Sequence, residues 1–181
     1  MDKSMIEEKA KKIRCFLSDV DGTLSNGYFY FGDPNTEYKA FHVHDGMGMV
    51  LLGMVGIDTG IITISTSDLV RRRSEQLNMK HAYLGQIDKI EAYEQIKAEN
   101  DFTDEHIAYI GDDLPDLPII ERAGLSFAVG NAHNALKEKA DVICTNPGGS
   151  GAVREACDLI LDAQNLHDEA LQRYINKGYV S

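Results

Sequence analysis

Short apolar runs of strand length recur along the chain, and each is followed by a longer stretch of mixed polarity with helical spacing. Residues 13–18 form the first run, which ends on Asp19-Val20-Asp21-Gly22-Thr23, a strand running into a turn. Residues 60–65, 82–84, 107–110, 125–129 and 141–144 read as further strands. Between them, residues 5–12, 45–52, 68–77, 88–99, 115–123 and 151–164 read as helices. Ser67 is placed to cap the third of these, and Pro115 opens the fifth, where its missing N–H costs little. Strands alternating with helices predict right-handed βαβ units, hence an α/β fold with a doubly wound, mainly parallel sheet.

One segment breaks the alternation. Tyr28-Phe29-Tyr30-Phe31 is aromatic and β-prone, Gly32-Asp33-Pro34-Asn35 is a turn cluster, and residues 37–43 read as a returning strand. The expectation is one domain over residues 1–181, with a β-hairpin flap at 27–43, no separate cap domain, and a polar C-terminal tail at 165–181.

Composition narrows the function. A chain of 181 residues buries roughly 70% of its unfolded surface, so it needs no metal or disulfide staple to fold. The formal net charge of −11 repels polyphosphate backbones and argues against a nucleic-acid partner. Arg71-Arg72-Arg73 sits in a predicted helix, where three consecutive cations spread around the axis. Cys15, Cys144 and Cys157 form no C-x-x-C pair and read as free thiols. The N-terminal segment is charged, without the apolar core of a signal peptide, and no apolar run reaches the ~20 residues of a membrane span. A cytoplasmic protein without a membrane partner is expected.

The candidate chemistry lies at the strand ends, where doubly wound folds bind ligands. The run at 13–18 ends on Asp19 and Asp21, the run at 60–65 offers Thr63 and Ser65, and the run at 107–110 leads to Asp112, Asp113 and Asp116; Lys89 opens a helix. Five carboxylates on one rim repel by roughly 4 kcal/mol per close pair at an effective dielectric near 20. A hard cation with oxygen ligands relieves that repulsion, and Mg²⁺ suits a few carboxylates plus a substrate phosphate. Asp19 and Asp21 are two apart and share a face of an extended strand, so one can attack phosphorus while the other handles the leaving group's proton. Taken singly these residues have ordinary readings: Asp-x-Asp-Gly as a solvated turn, Thr63 as a buried strand residue, Lys89 as a surface lysine.

In register they resemble a known set. Asp19-Val20-Asp21-Gly22-Thr23 is similar to the first motif of the haloacid dehalogenase-like phosphatases, D-x-D-G-T, and Gly111-Asp112-Asp113-Leu114-Pro115-Asp116 to their fourth, G-D-D-x-x-D. Thr63 and Lys89 fall where the second and third motifs have their Thr and Lys. The resemblance implies Asp19 as nucleophile and metal ligand, and Asp21 as general acid/base with its carbonyl also on Mg²⁺. It implies Thr63 and Lys89 on the phosphoryl oxygens, Asp112 as a further metal ligand, and Asp113 and Asp116 ordering the metal's surroundings or orienting Lys89.

Within that superfamily the chain resembles the small capless 3-deoxy-D-manno-octulosonate 8-phosphate (KDO 8-phosphate) phosphatases and their nonulosonate 9-phosphate relatives. The aromatic hairpin, Phe41-His42-Val43-His44-Asp45-Gly46, Gly85-Gln86-x-x-Lys89 and Gly148-Gly149-Ser150-Gly151-Ala152-Val153-Arg154-Glu155 carry that likeness. It implies a phosphorylated sugar-acid substrate, with Gly22, Ser65, His44 and Arg73 on the substrate side. It also implies a homotetramer in which paired hairpins and C-terminal segments of neighbours close each site. Ser65 stands where the family has the Arg of T-G-R, and His44 where it has the Arg before Asp-Gly; neither replaces an arginine fork on a carboxylate. A phosphatase for another sugar acid, a silent scaffold and a receiver domain are the competing readings, the last opposed by the D-x-D-G-T spacing.

Overall fold

The computed structural model describes residues 2–33 and 36–177, so Pro34 and Asn35 of the turn cluster and residues 178–181 of the tail lie outside it. Six parallel strands form the central sheet: β1 (Cys15–Ser18), β4 (Asp58–Ile62), β5 (His81–Tyr83), β6 (Ile107–Gly111), β7 (Leu125–Ala128) and β8 (Val142–Ile143). Their order is β5-β4-β1-β6-β7-β8. The chain winds from β1 toward one edge, then returns to place β6 on the other side of β1. That reversal puts the topological switch point, where such sheets bind ligands, at the carboxyl end of β1. Every residue of β1 and β6 is buried, as expected of central parallel strands covered on both faces.

Two helix layers flank the sheet. α1 (Lys3–Ala10), α2 (Val43–Met54), α7 (Ala152–Ala163) and α8 (His167–Lys177) pack together; α4 (Lys89–Asn100), α5 (Leu117–Ile120) and α6 (Asn134–Lys139) form the second group. α3 (Asp68–Gln76) begins where expected, with the Ser67 hydroxyl accepting from the Leu69 amide at 3.2 Å. No helix among the described residues is long and apolar enough to cross a membrane.

Three expectations change. The hairpin pairs over two residues a side, β2 (Tyr30–Phe31) with β3 (Glu37–Tyr38), and a single bridge between Ser25 and Phe41 closes its base. The return strand stops at Tyr38, and Val43, expected at its end, instead begins α2. Asp45 in the first turn accepts the backbone N–H groups of Gly151 (3.1 Å) and Arg154 (2.8 Å), tying the starts of α2 and α7 together. His42 and His44 therefore sit at that helix start and not on a strand. The polar tail is also helical from His167, because Leu166, Ala170 and Tyr174 recur at four-residue spacing and pack on the core. α6, which the polar pattern hid, completes the crossover between β7 and β8.

Candidate active site

Asp19 is the first residue past β1, and its amide still donates to the Ile110 carbonyl across the sheet at 3.0 Å. That bond fixes the backbone, so the carboxylate points over the carboxyl edge. The chain then turns through Val20–Leu24, closed by the Ser25 amide on the Val20 carbonyl at 2.8 Å. Gly22 makes the turn possible: its φ of +100° suits glycine, and a Cβ there would fall on the Asp112 carboxylate. Thr23 donates its hydroxyl to Asp112 Oδ1 at 3.1 Å, and its carbonyl accepts the Gly149 amide at 2.7 Å. The late glycine-rich segment thus braces the turn that follows Asp19.

Lys89, the first residue of α4, is 4% exposed and reaches in from the opposite side. Its ammonium donates to Asp19 Oδ1 at 2.5 Å and to Asp116 Oδ1 at 2.6 Å. Asp116 is saturated: Oδ1 also accepts the Tyr109 hydroxyl at 2.6 Å, and Oδ2 accepts the amides of Asp112 (3.0 Å) and Asp113 (3.3 Å). It is an anchor for Lys89 and for the loop after β6, which leaves Asp19 and Asp112 with the freer oxygens. Asp113 is exposed and its carboxylate caps Leu114, so Asp116 alone of these two touches Lys89. Thr63, 2% exposed, is the first residue past β4, the strand paired with β1, and its hydroxyl oxygen accepts the Ser65 amide at 3.1 Å.

Charge in this cluster is unbalanced. Asp19, Asp112 and Asp116 each bring an oxygen within 4.8 Å of the other two, and among the described residues a single ammonium, that of Lys89, contacts them. Burial, reinforced by Asp116 and Asp112, pushes the Asp19 carboxyl well above the usual range despite Lys89. Burial and Asp116 push Asp112 to about 6. For Lys89, burial favours the neutral amine, but Asp19 and Asp116 outweigh it and its pKa rises. An all-oxygen donor set with excess negative charge fits a hard divalent cation such as Mg²⁺.

The expected substrate-side residues are not all gathered here. Gly22 borders the cluster at Asp112, whereas Ser65 lies in the loop after β4 with its hydroxyl accepting from the Ser67 amide at 3.3 Å. His44 instead lines a groove of about 840 Å³ between α1 and α7, with its ring edge-on to His42. Arg73 packs over Phe41 and donates to Gln76 at 2.8 Å. No hydrogen bond or ion pair of the described residues joins either to the Asp19 cluster. Sequence reasoning missed Tyr109, whose signal was a phenol two residues before Gly111 in an otherwise aliphatic strand. It also missed Lys39 and Ser25, both of which meet the Asp21 carboxylate.

A family model of haloacid dehalogenase-like hydrolases matches residues 67–156. The KDO 8-phosphate phosphatase KdsC of Yersinia pestis is 45% identical over 158 residues, covering 87% of this chain and 84% of that protein. KdsC of Escherichia coli K12 is 44% identical over 90% of this chain and 86% of its own length. The crystal structure of KDO 8-phosphate phosphatase from Moraxella catarrhalis, in complex with magnesium, phosphate and KDO, superposes with a TM-score of 0.91 at 42% identity, covering 94% of this chain and 98% of that one. Identity at this level along nearly the whole length, on top of the aspartate cluster at the switch point, shows that the chain belongs to the haloacid dehalogenase-like hydrolases, in the family of the KDO 8-phosphate phosphatases.

Proposed function

We propose that this protein is a Mg²⁺-dependent phosphomonoesterase acting on KDO 8-phosphate through a phosphorylated Asp19. The observation that carries the reading is the buried set Asp19, Lys89, Asp116 and Asp112 at the switch point, in a chain akin to KdsC. Asp19, Asp112 and the backbone carbonyl of Asp21 would hold Mg²⁺, whose charge offsets that of the carboxylates and the phosphate. An Asp19 oxygen attacks phosphorus while Asp21 gives its proton to the departing sugar oxygen. Water then attacks the aspartyl phosphate, with Asp21 taking the proton back. Thr63 and Lys89 steady the transferring phosphoryl oxygens throughout. Asp116 and Tyr109 orient Lys89, and Asp113 stands at the rim.

The test is phosphate release across a panel of sugar phosphates, with Mg²⁺ and with EDTA. The expected outcome is preferred hydrolysis of KDO 8-phosphate, lost in EDTA and restored by Mg²⁺; turnover in a verified metal-free sample overturns the metal assignment. Ser65 favours a second reading, a different phosphorylated sugar acid. Its short hydroxyl is engaged with Ser67 where the family has an arginine fork, so preference for another acid on the same panel selects this reading.

A homotetramer is part of the proposal. Tyr28 (69% exposed), Phe29 (61%), Tyr30 (48%) and Tyr38 (62%) cluster on the hairpin, an apolar patch of the kind that subunit contacts cover. Light scattering is expected to give about four times the 20.1 kDa chain mass, and a monomeric mass overturns the assembly. The three free, buried cysteines suit a reducing compartment, consistent with a cytoplasmic enzyme.

A further inference from the structure

Lys39 follows β3 on the exposed flap, yet its side chain is only 2% exposed. A hairpin lysine is ordinarily solvated, because an ammonium loses several kcal/mol of hydration when buried and recovers it only from well-placed partners. Lys39 has such partners. Its Nζ donates to Asp21 Oδ1 at 2.5 Å, lies 3.5 Å from Glu37 Oε1, and sits 4.8 Å from the centre of the Phe29 ring. The flap therefore delivers a buried cation to Asp21, the residue assigned the proton of the leaving group.

The geometry at Asp21 is one-sided. Ser25 Oγ donates at 3.3 Å to the same oxygen that Lys39 reaches, and no hydrogen bond of the described residues falls on Oδ2. Both donors are tied to the flap: Lys39 follows β3, and Ser25 forms the bridge with Phe41 that closes the hairpin base. Two donors on one carboxylate oxygen fix the plane of the group and direct proton exchange to the other. We infer that Lys39 is a positioning residue for the acid/base step, holding Asp21 by Oδ1 so that Oδ2 carries the proton. This rests on the proposed role of Asp21. As Asp19 forms its bond to phosphorus, the ester P–O bond breaks, its electron pair stays on the leaving oxygen, and that oxygen takes the proton from Asp21 Oδ2. In the second step the water oxygen bonds phosphorus, the Asp19 O–P bond breaks, and the water's proton goes to Asp21 Oδ2. Lys39 neither gives nor takes a proton in either step.

Lys39→Met and Lys39→Arg, compared on phenyl phosphate and p-nitrophenyl phosphate, test this. The two esters are alike in size and charge but differ in how much the departing oxygen needs a proton. The ratio kcat/KM reports the first phosphoryl transfer, free of the shared hydrolysis step. For K39M we expect kcat/KM on phenyl phosphate to fall about 10²-fold, the scale of general-acid assistance, with p-nitrophenyl phosphate changing about threefold or less. K39R, which keeps a cation on Oδ1, should recover most of the loss. Equal losses on both esters mark a merely structural lysine and overturn the inference, as does no loss on either. Either result leaves the phosphatase reading intact, because that reading fails only if the wild-type chain releases no phosphate.

Discussion

Asp19→Asn lowers kcat more than about 10⁴-fold while leaving the Mg²⁺-free protein as stable as the wild type or more so. Loss of activity follows from the amide's inability to attack phosphorus. The stability result follows from the electrostatics of the site. Burial and Asp116 raise the Asp19 pKa above its unfolded value even with Lys89 at 2.5 Å. A carboxyl raised in the fold contributes stability that is complete below its unfolded pKa and is lost as pH rises through its folded value. Asparagine mimics the neutral form at every pH. In EDTA, D19N should therefore match the wild type in acid and equal or exceed it above neutrality.

Adding Mg²⁺ should reverse the order, since the wild type has the charge that holds the cation and gains stability by mass action. Thermal unfolding at several pH values, with and without Mg²⁺, checks this. A variant less stable than the wild type in EDTA at neutral pH would mean that the Lys89–Asp19 pair outweighs the burial of Asp19. Retained turnover would remove Asp19 from the nucleophile's role.

The sheet and its reactive edge were legible in the sequence because central parallel strands are apolar throughout and end abruptly in polar residues. Residues 13–18 running into Asp19, and residues 107–110 running into Gly111 and Asp112, carried most of that signal. The flap and the last helix were less legible. Tyr28 to Phe31 are β-prone, but a two-residue pairing depends on what the hairpin packs against. α8 is too polar to announce itself and is held by Leu166, Ala170 and Tyr174 against the core. Tyr109 was hidden for another reason, as was the saturation of Asp116, which the fourth-motif resemblance had already placed near the metal or Lys89: a hydrogen-bond anchor is a property of convergent geometry, and spacing alone does not distinguish it from a ligand. Lys39 belongs to the same class, since only the folded hairpin shows that its ammonium turns inward.

Lys89→Met is the counterpart of D19N and should shift stability the opposite way. Methionine keeps the length and packing of the lysine stem but removes the one cation that contacts Asp19 and Asp116 among the described residues. Breaking a buried ion pair from one side costs about 3–5 kcal/mol, because the remaining charges lose their compensation and not merely a contact. The Asp19 carboxyl, already raised by burial and Asp116, would rise further. The deficit should therefore be largest at and above neutral pH and shrink as acid protonates the cluster. Saturating Mg²⁺ should restore part of the stability, yet leave kcat/KM down about 10²–10³-fold, because the donor to the phosphoryl oxygens is still missing. The double variant D19N/K89M should be less destabilised than K89M alone, since the carboxylate most in need of the ammonium is gone. A deficit that stays constant from acid to alkaline pH, and is equal in single and double variants, would assign Lys89 a packing role and remove the charge cluster from the account of this site.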